Sequence, residues 1–278
     1  MLTNSEGKDW RKQGELAGSV LFVAGVGPYM GSATALAAAR EGAKVAVAAR
    51  GTEQPRALVE KIQDMGGEAI AIQCDLTDRD SMERAVAQTR SSLGPIDRVF
   101  YNAGFYDVEH DSIETDDELW QTTMDVNYNG AHMLARLTIP GMLELGRGAF
   151  VFNSSAASLV AGQVRFGYQV SKAGVNALTR FIAAKYGRQG IRANATLPFV
   201  VGGEVGRVAA SINCIGRSGT PEEIGEAVVF LLSDRSSIIT GQVIHLDGGM
   251  FARASWPTNA APYEPPPELK GGTTAASE

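Results

Sequence analysis

Short β-rich runs alternate with longer helical patterns along the chain, and this alternation constrains the fold more than any other feature of the sequence. The runs predicted as strands are residues 19–24, 44–49, 68–73, 96–101, 149–153, 190–197 and 242–246. The patterns predicted as helices are residues 31–41, 53–65, 79–92, a long stretch within 116–144, a helix that begins near 168, and residues 221–232. Strands separated by helices in this way lie parallel and are joined by right-handed crossovers. The sequence therefore predicts an α/β fold with a doubly wound, parallel, seven-stranded sheet.

The composition is that of an ordinary globular protein with one large domain or two small ones. The chain has 278 residues, of which 44% are hydrophobic and 20% are charged, so it can bury a full core. No break in composition divides its central part. We assign residues 1–15 to an N-terminal extension, residues 16–250 to one domain that carries the whole chemistry, and residues 251–278 to a Pro-rich C-terminal tail.

Charge and cysteine usage argue against several classes of function. The formal net charge is −6 and no Lys/Arg-rich run is present, so neither a nucleic acid nor a membrane is an expected partner. The N-terminus lacks the apolar segment of a signal peptide, and we predict a cytoplasmic protein. Cys74, Cys214 and the three histidines are scattered without metal-type spacing, so we expect no metal site.

Tyr168 and Lys172 lie four residues apart at the start of a predicted helix. Such residues share one face of a helix, so the Lys172 ammonium is expected within several ångströms of the Tyr168 phenol. A nearby cation favours the phenolate, which would make Tyr168 a better proton donor and acceptor near neutral pH. Ser155, at the end of the preceding strand, could hydrogen-bond the same reacting oxygen from the other side. The alternative for Lys172 is a solvated side chain on a helix start.

The first predicted strand runs into a glycine-rich turn, Ala-Gly-Val-Gly-Pro-Tyr-Met-Gly, at residues 24–31. Glycines let backbone N–H groups approach a pyrophosphate, and the N-terminus of a helix favours negative charge. The small residues that follow Gly31 would let the helix pack closely on the sheet, which favours a dinucleotide site over a simple tight turn.

The second predicted strand ends in Ala49 and Arg50. An acidic residue at this point would hydrogen-bond a ribose 2′-hydroxyl, whereas a guanidinium suits a 2′-phosphate. The implied preference is for NADP over NAD. The alternative is that Arg50 is an ordinary surface side chain.

Further motifs follow the glycine turn in a fixed order. They are Cys74-Asp75-Leu76, Tyr101-Asn102-Ala103-Gly104, the stretch Asp-Val-Asn-Tyr-Asn-Gly at 125–130, Asn153-Ser154-Ser155, Tyr168 with Lys172, Ile-Arg-Ala-Asn at 191–194 before Pro198, Thr240-Gly241-Gln242 and Asp247-Gly248-Gly249. Over about residues 16–250 the sequence resembles the short-chain dehydrogenase/reductase family, whose fold is of the Rossmann type.

The resemblance implies a role for each matching residue. Tyr168 would be the catalytic acid/base, and Ser155 would orient the substrate oxygen. Lys172 would modulate Tyr168 and hold the nicotinamide ribose, while Asn127 would support a water-linked proton relay behind it. The positions implied to bind the cofactor are Gly25, Gly27, Tyr29, Met30, Gly31, Arg50, Asp75, Leu76, Asn102, Ala103, Gly104, Tyr168, Lys172, Pro198 and Val201.

Three residues depart from the family pattern. Tyr29 occupies the place of a middle glycine in the turn, where Gly25 and Gly27 would supply the flexibility instead. Phe199 replaces the glycine usual after Pro198, and Gly203 stands where the family often has a threonine. The segment at 200–215 is also short for the substrate lid of the family, which suggests an open pocket or one completed by another subunit.

The resemblance places several apolar or aromatic residues near the substrate. They are Phe105, Tyr106, Ala157, Leu159, Val160, Phe199 and Val200, and none is a basic group that could grip a carboxylate or phosphate. The alternative is ordinary core packing, above all for Val160 and Val200. We therefore expect an NADPH-dependent oxidoreductase that reversibly reduces an apolar or bulky ketone or aldehyde to an alcohol. The competing hypothesis is a cofactor-binding member of the family with little turnover or a regulatory role, which Tyr29 favours.

The resemblance also implies a homotetramer, or at least a homodimer, formed by the two long helices that begin near residues 116 and 168. The tail carries Phe251, Trp256 and Tyr263, and an aromatic side chain of this kind buries on the order of 150–250 Å². We expect the segment at 251–267 to lie along a neighbouring subunit, near the mouth of its active site.

Overall fold

A sheet of seven parallel strands forms the centre of the computed structural model, which describes residues 14–106, 111–160, 165–199, 201–202 and 212–252. The strands are β1 (Val20–Ala24), β2 (Lys44–Ala49), β3 (Ala69–Gln73), β4 (Arg98–Tyr101), β5 (Gly148–Asn153), β6 (Ile191–Pro198) and β7 (Val243–Leu246). Their order across the sheet is β3-β2-β1-β4-β5-β6-β7. The predicted doubly wound, Rossmann-type sheet is confirmed.

Helices cover both faces of the sheet. They are α1 (Met30–Arg40), α2 (Glu53–Asp64), α3 (Arg79–Leu93), α4 (Asp117–Met124), α5 (Gly130–Leu145), α6 (Phe166–Tyr186) and α7 (Pro221–Leu232). Phe22 of β1 packs in a buried cluster with side chains of α3, α5 and α6, whereas the neighbouring Val23 packs with α1, α2 and α7. Burial of both faces is why these strands are nearly continuous apolar runs. In the described part of the chain, no helix is long and apolar enough to span a lipid bilayer.

The helical stretch predicted within 116–144 is two helices separated by a π-helical turn, Asp125–Asn129. The Tyr101 hydroxyl donates a hydrogen bond of 2.6 Å to the Val126 carbonyl in this turn. It therefore competes with the backbone N–H groups of the helix for this carbonyl. A Cβ at Gly130 would overlap the Tyr101 hydroxyl. The absence of a side chain at Gly130 therefore lets the turn press against the end of β4. Wide turns of this kind occur frequently at functional sites.

Strand order changes direction beside β1. The chain passes from β1 to β2 and β3 on one side, and then returns to place β4 on the other side of β1. In open parallel sheets, ligands bind outside the carboxyl ends of the strands at such a switch point. The carboxyl end of β1 leads into the glycine-rich turn and that of β4 leads into Asn102.

Candidate active site

A cleft of about 450 Å³ opens at the carboxyl ends of β1, β2 and β4. It is lined by Gly25, Val26, Gly27, Tyr29, Met30, Ala49, Arg50, Cys74, Asp75, Leu76, Thr77, Asn102, Ala103, Gly104, Phe105, Tyr106, Thr122, Val126, Asn153, Tyr168 and Lys172. Most of the predicted cofactor-binding residues thus surround one space. The catalytic candidates Tyr168 and Lys172 lie in the same space.

The glycine turn allows a close approach of backbone to backbone. Gly25 has φ 84°, and a Cβ on it would lie 2.6 Å from the backbone of Ala103. A Cβ on Gly31 would meet the Gly25 carbonyl at 2.9 Å. The Asn102 side chain donates a hydrogen bond of 2.8 Å to the same carbonyl, which fixes the turn against the end of β4.

The turn fits the pyrophosphate of a dinucleotide. Among the residues that the structure describes, nothing lies within 4 Å of the place that a Cβ on Gly27 would occupy, so the floor of the turn is open to them. Helix α1 begins directly after it at Met30, and its first turn has no acidic residue to repel an anion. The half-exposed Tyr29 ring leans toward Gly202, where a Cβ would lie 3.6 Å from it, and does not fill the turn.

The far end of the cleft carries a cation and a carboxylate. Arg50 is exposed directly after β2. The Asp75 carboxylate accepts hydrogen bonds from the Thr77 backbone N–H at 2.9 Å and the Thr77 hydroxyl at 2.7 Å. These two bonds, with a smaller contribution from the Arg50 charge, hold the pKa of Asp75 below its ordinary value. Both charges are therefore present at neutral pH where an adenosine would lie.

Lys172 is buried beneath the catalytic end of the cleft. Its side chain is 2% exposed, and its Nζ donates hydrogen bonds to the carbonyls of Asn153, at 2.8 Å, and Ala103, at 3.4 Å. The Nζ lies 5.6 Å from the centroid of the Tyr168 ring, within the distance predicted from their spacing. Burial disfavours the ammonium and lowers the pKa of Lys172 to about 7. This lysine can therefore exchange a proton near neutral pH.

Asn127 ties the π-helical turn to the catalytic helix. Its side-chain oxygen accepts from the Phe105 backbone N–H at 2.7 Å, and its side-chain nitrogen donates to the Phe105 carbonyl at 2.9 Å and to the Ser171 hydroxyl at 3.0 Å. Ser171 in turn donates to the Tyr168 carbonyl at 2.8 Å. Asn127 is fully buried and sits next to the cleft, beneath Phe105.

Tyr168 is buried, and its side chain is hydrogen-bonded to both Ser155 and Tyr106. Burial is the main reason why the pKa of Tyr168 is raised above its ordinary value; Tyr106 adds to this effect, and the opposing effects of Ser155 and Arg165 are smaller. The sequence led us to expect a lowered value because of Lys172. That expectation is wrong for the free protein, because the Lys172 ammonium is itself desolvated and directs its hydrogen bonds to backbone carbonyls.

Asn153, the last residue of β5, connects this strand to the glycine turn. The sequence analysis did not predict this role. Its side-chain nitrogen donates to the Asn102 side-chain oxygen at 3.1 Å, and its own side-chain oxygen accepts from the Thr196 hydroxyl at 3.4 Å. Its carbonyl accepts from Lys172. The available signal was the position of a polar residue at the carboxyl end of β5, beside Asn102, which directly follows β4.

Arg165 is the second residue that the sequence analysis missed. It directly precedes α6 with φ 67°, and its guanidinium lies 5.8 Å from the centroid of the Tyr106 ring. Tyr106 stacks on Tyr168. A basic group is therefore close to the proposed substrate side, contrary to our expectation. Its place three residues before Tyr168 was a signal, but the left-handed backbone that aims its side chain was not visible in the sequence.

Several predicted residues lie outside the lining of the cleft. Gly31, Asn127 and Ser155 support it through the contacts above. Leu159 and Val160 are half-exposed beyond Ser155, where Ala157 donates its backbone N–H to the Ser155 hydroxyl. Pro198 ends β6, the Phe199 backbone N–H donates to Leu246, and Val201 forms a bridge with Gly219.

Most of the remaining predicted residues lie outside the part of the chain that the structure describes. Val200, Gly203 and most of the predicted lid lie outside the described residues, as do Trp256 and Tyr263 in the tail. Phe251 is described, and its ring meets His245 of the same chain edge-on with centroids 4.8 Å apart. Its backbone N–H donates to Asp247 at 3.0 Å. The start of the tail is thus packed on its own subunit.

The side chains that meet in the cleft can hold an oxygen atom and move a proton. Two hydroxyls, those of Ser155 and Tyr168, are hydrogen-bonded side by side, and a buried amine with a pKa of about 7 lies behind them. An oxygen placed against both hydroxyls would receive a proton from Tyr168 or lose one to it. The glycine turn lies in the same cleft.

Comparison with known proteins agrees with this arrangement. Residues 25–251 match a family described as enoyl-(acyl carrier protein) reductase. L-rhamnose 1-dehydrogenase (NAD(P)(+)) of Azotobacter vinelandii is 33% identical over 85% of this chain and 98% of its own length. A protein of Xanthobacter autotrophicus named inactive 2-(S)-hydroxypropyl-CoM dehydrogenase 2 is 37% identical over 78% of this chain and 99% of its own length.

A solved structure agrees as well. The structure of a short-chain type dehydrogenase/reductase from Mycobacterium marinum superimposes with a TM-score of 0.82 at 29% identity, covering 88% of this chain and all of that one. The family match at residues 25–251 includes most of the glycine turn and the catalytic candidates. The chain belongs to the short-chain dehydrogenase/reductase family, a family of NAD(P)(H)-binding oxidoreductases.

Proposed function

We propose that the protein is an NADP(H)-dependent oxidoreductase that interconverts an alcohol and a ketone or aldehyde. In the oxidising direction, an alcohol and NADP⁺ give a carbonyl compound, NADPH and a proton; the hydride carries both electrons of the broken C–H bond. The observation that carries the proposal is that Tyr168 and buried Lys172 line the cleft that the glycine turn borders, and that Ser155 contacts Tyr168 from just outside this lining. When bound, the nicotinamide supplies or accepts the hydride.

The chain's own residues supply the proton chemistry. Ser155 and Tyr168 would hold the reacting oxygen between two hydroxyls, so that little charge accumulates on it. Because the pKa of Tyr168 is raised in the free protein and that of Lys172 is about 7, proton transfer from Tyr168 to the Lys172 amine would require that the positive charge of a bound nicotinamide lower the pKa of Tyr168. Asn127 would hold the Phe105 backbone and Ser171 in place around this route.

The test of the function is direct. The full-length protein is mixed with NADPH and a panel of bulky apolar ketones, and oxidation of the cofactor is followed spectroscopically; the corresponding alcohols are tested with NADP⁺. The competing hypothesis of a member with little turnover is given weight by the Xanthobacter relative whose name describes it as inactive. Tight binding of NADPH without oxidation of any panel member would favour that hypothesis over ours.

Arg50 provides a prediction about cofactor choice. We propose that NADPH is preferred over NADH because the exposed guanidinium after β2 contacts the 2′-phosphate. One charge-assisted contact is worth ~1.5–3 kcal/mol, so Arg50→Ala should weaken NADPH binding about 10- to 100-fold and leave NADH binding nearly unchanged. Calorimetric titration with each nucleotide measures both values.

A matched control is Arg56→Ala, which removes the same charge from an exposed position on α2 away from the cleft. It should bind both nucleotides as the wild-type protein does. Equal affinity of the wild-type protein for NADPH and NADH would contradict the assignment of Arg50.

The assembly provides another prediction. A hollow of about 470 Å³ lies between α5 and α6, lined among others by Tyr128, His132 and Phe181, and Phe181 is 62% exposed. We propose that this face joins two subunits in a homodimer or homotetramer. Phe181→Glu would place a charge in that contact and should lower the mass in solution measured by light scattering.

The control for this variant is Ile238→Glu, because Ile238 is equally apolar and even more exposed but lies outside the hollow. Its mass in solution should equal that of the wild-type protein. A monomeric wild-type protein would refute the proposed assembly at once.

A further inference from the structure

Tyr106 brings a second phenol to the catalytic end of the cleft. Its ring stacks on that of Tyr168, with centroids 4.7 Å apart and 28° between the planes. The two side chains are also hydrogen-bonded to each other. The Tyr106 side chain therefore lies beside the hydroxyl that would meet the reacting oxygen. Tyr106 lines the cleft, and 51% of it is exposed, so a substrate can reach it.

Arg165 holds this phenol in a defined place. Its guanidinium lies 5.8 Å from the centroid of the Tyr106 ring, a cation–π distance. Considering only residues that the structure describes, this guanidinium has no carboxylate or hydrogen-bond partner, and Arg165 is the one non-glycine residue with a positive φ. Such backbone conformations persist where the surroundings impose them, commonly at active sites. A stack of Arg165, Tyr106 and Tyr168 thus orients a half-exposed hydroxyl.

The position of that hydroxyl has a consequence for the substrate. The reacting oxygen has to contact both Tyr168 and Ser155, and Tyr106 is a further hydrogen-bonding neighbour of Tyr168. The substrate atoms closest to Tyr106 are then those on the carbon next to the reacting carbon. An oxygen on that carbon lies about one hydrogen-bond length from the reacting oxygen, so each of the two substrate oxygens can contact one of the two stacked tyrosines.

We propose that Tyr106 is a specificity-determining residue that hydrogen-bonds an oxygen on the carbon adjacent to the reacting one, so that the protein prefers vicinal diols and α-hydroxy ketones to simple alcohols and ketones. This inference rests on the proposed function. A diol replaces the bond between the two phenols by one bond to each of them. A simple alcohol replaces only the bond to Tyr168 and leaves the Tyr106 hydroxyl without a substrate partner, which is how a polar site discriminates against an analogue that lacks the matching group.

The experiment compares matched substrates with matched variants. Oxidation of cyclohexanol and of cis- and trans-1,2-cyclohexanediol is measured for the full-length wild-type protein at saturating NADP⁺ or NAD⁺. The measurements are repeated with Tyr106→Phe, which keeps the ring and removes the hydroxyl. Tyr186→Phe removes the same group from the far end of α6 and serves as the control. Arg165→Asn removes the guanidinium but retains a residue type that tolerates positive φ.

The wild-type protein should have a higher kcat/KM for at least one diol than for cyclohexanol. Tyr106→Phe should lower kcat/KM for that diol about three- to tenfold more than it changes kcat/KM for cyclohexanol, the effect of one hydrogen bond. Arg165→Asn should lower it in the same direction by a smaller factor, and Tyr186→Phe should change nothing.

Two results would overturn the inference and a third would overturn the function beneath it. A wild-type protein that oxidises cyclohexanol at least as efficiently as both diols contradicts the inference without any variant. An equal change for diol and cyclohexanol in Tyr106→Phe, or no change in either, does so as well. If the wild-type protein oxidises none of these alcohols and reduces none of the corresponding ketones, the proposed function fails first.

Discussion

Tyr168→Phe is expected to lower kcat by a factor on the order of 10² or more, because general acid–base catalysis by a positioned side chain commonly contributes that much. The change removes one buried hydroxyl that is hydrogen-bonded to Ser155 and Tyr106, and it keeps the ring that stacks on Tyr106. Binding of NADP(H) should stay within a small factor of the wild-type value, since the glycine turn and Lys172 are untouched. Single-turnover kinetics and calorimetric titration of the cofactor measure the two quantities separately.

The control for Tyr168→Phe is Tyr186→Phe on the same helix, which should leave kcat unchanged. Loss of cofactor binding in Tyr168→Phe would mean that the variant is misfolded or that Tyr168 is a binding residue only. Turnover close to that of the wild-type protein would remove Tyr168 from the proton transfer altogether. Each outcome is therefore assigned to a different cause.

The sheet could be predicted from the sequence because the spacing of apolar residues along strands and helices follows from which side chains are buried. The run at 149–153 is apolar because β5 is covered on both faces, and the structure begins it only one residue earlier, at Gly148. The π-helical turn at 125–129 was not predicted, because it depends on a contact between distant residues. The Tyr101 hydroxyl has to reach Val126 across the space that Gly130 leaves free, and no local pattern encodes that distance.

Some features of the candidate site could likewise be predicted from the sequence, and others could not. The spacing of Tyr168 and Lys172 within one helix fixes their shared face, so their proximity could be predicted from sequence. The pKa values of these two residues could not be predicted, since they depend on burial by other elements. The pKa of Tyr168 is raised and that of Lys172 is lowered because both side chains lie in the interior. The direction of the Arg165 side chain depends on a single backbone angle of 67°, which residue type alone does not predict.

One chain of hydrogen bonds connects the glycine turn to Lys172, one of the residues that we propose for the proton transfer. The Gly25 carbonyl accepts from Asn102, whose side-chain oxygen accepts from Asn153, whose carbonyl accepts from Lys172. A shift of the turn would therefore be transmitted to the lysine through three side-chain hydrogen bonds. The arrangement suits a reaction in which hydride and proton transfer must occur at one substrate, because it fixes the two groups relative to each other.

Lys172→Met should change how stability depends on pH. The pKa of Lys172 is about 7 in the folded protein and near 10.5 when exposed, so between these values the unfolded chain binds more protons. The contribution of Lys172 to stability is then fully present only above pH 10.5 and is lost as pH falls toward 7. Between about pH 7 and pH 9.5, the wild-type protein should gain about 3 kcal/mol in free energy of unfolding relative to Lys172→Met, which cannot titrate at this position.

Chemical denaturation of both proteins at several pH values measures this difference, in which the titration of all other groups cancels. Lys185→Met is the matched control, because it removes an exposed lysine from the same helix and should show no relative change. A free-energy gap between the wild-type protein and Lys172→Met that stays constant with pH would mean that Lys172 remains fully charged in the folded state. The lysine would then act on Tyr168 only through its fixed charge, and the proton route from Tyr168 to Lys172 would have to be abandoned, whatever the activity of the variant.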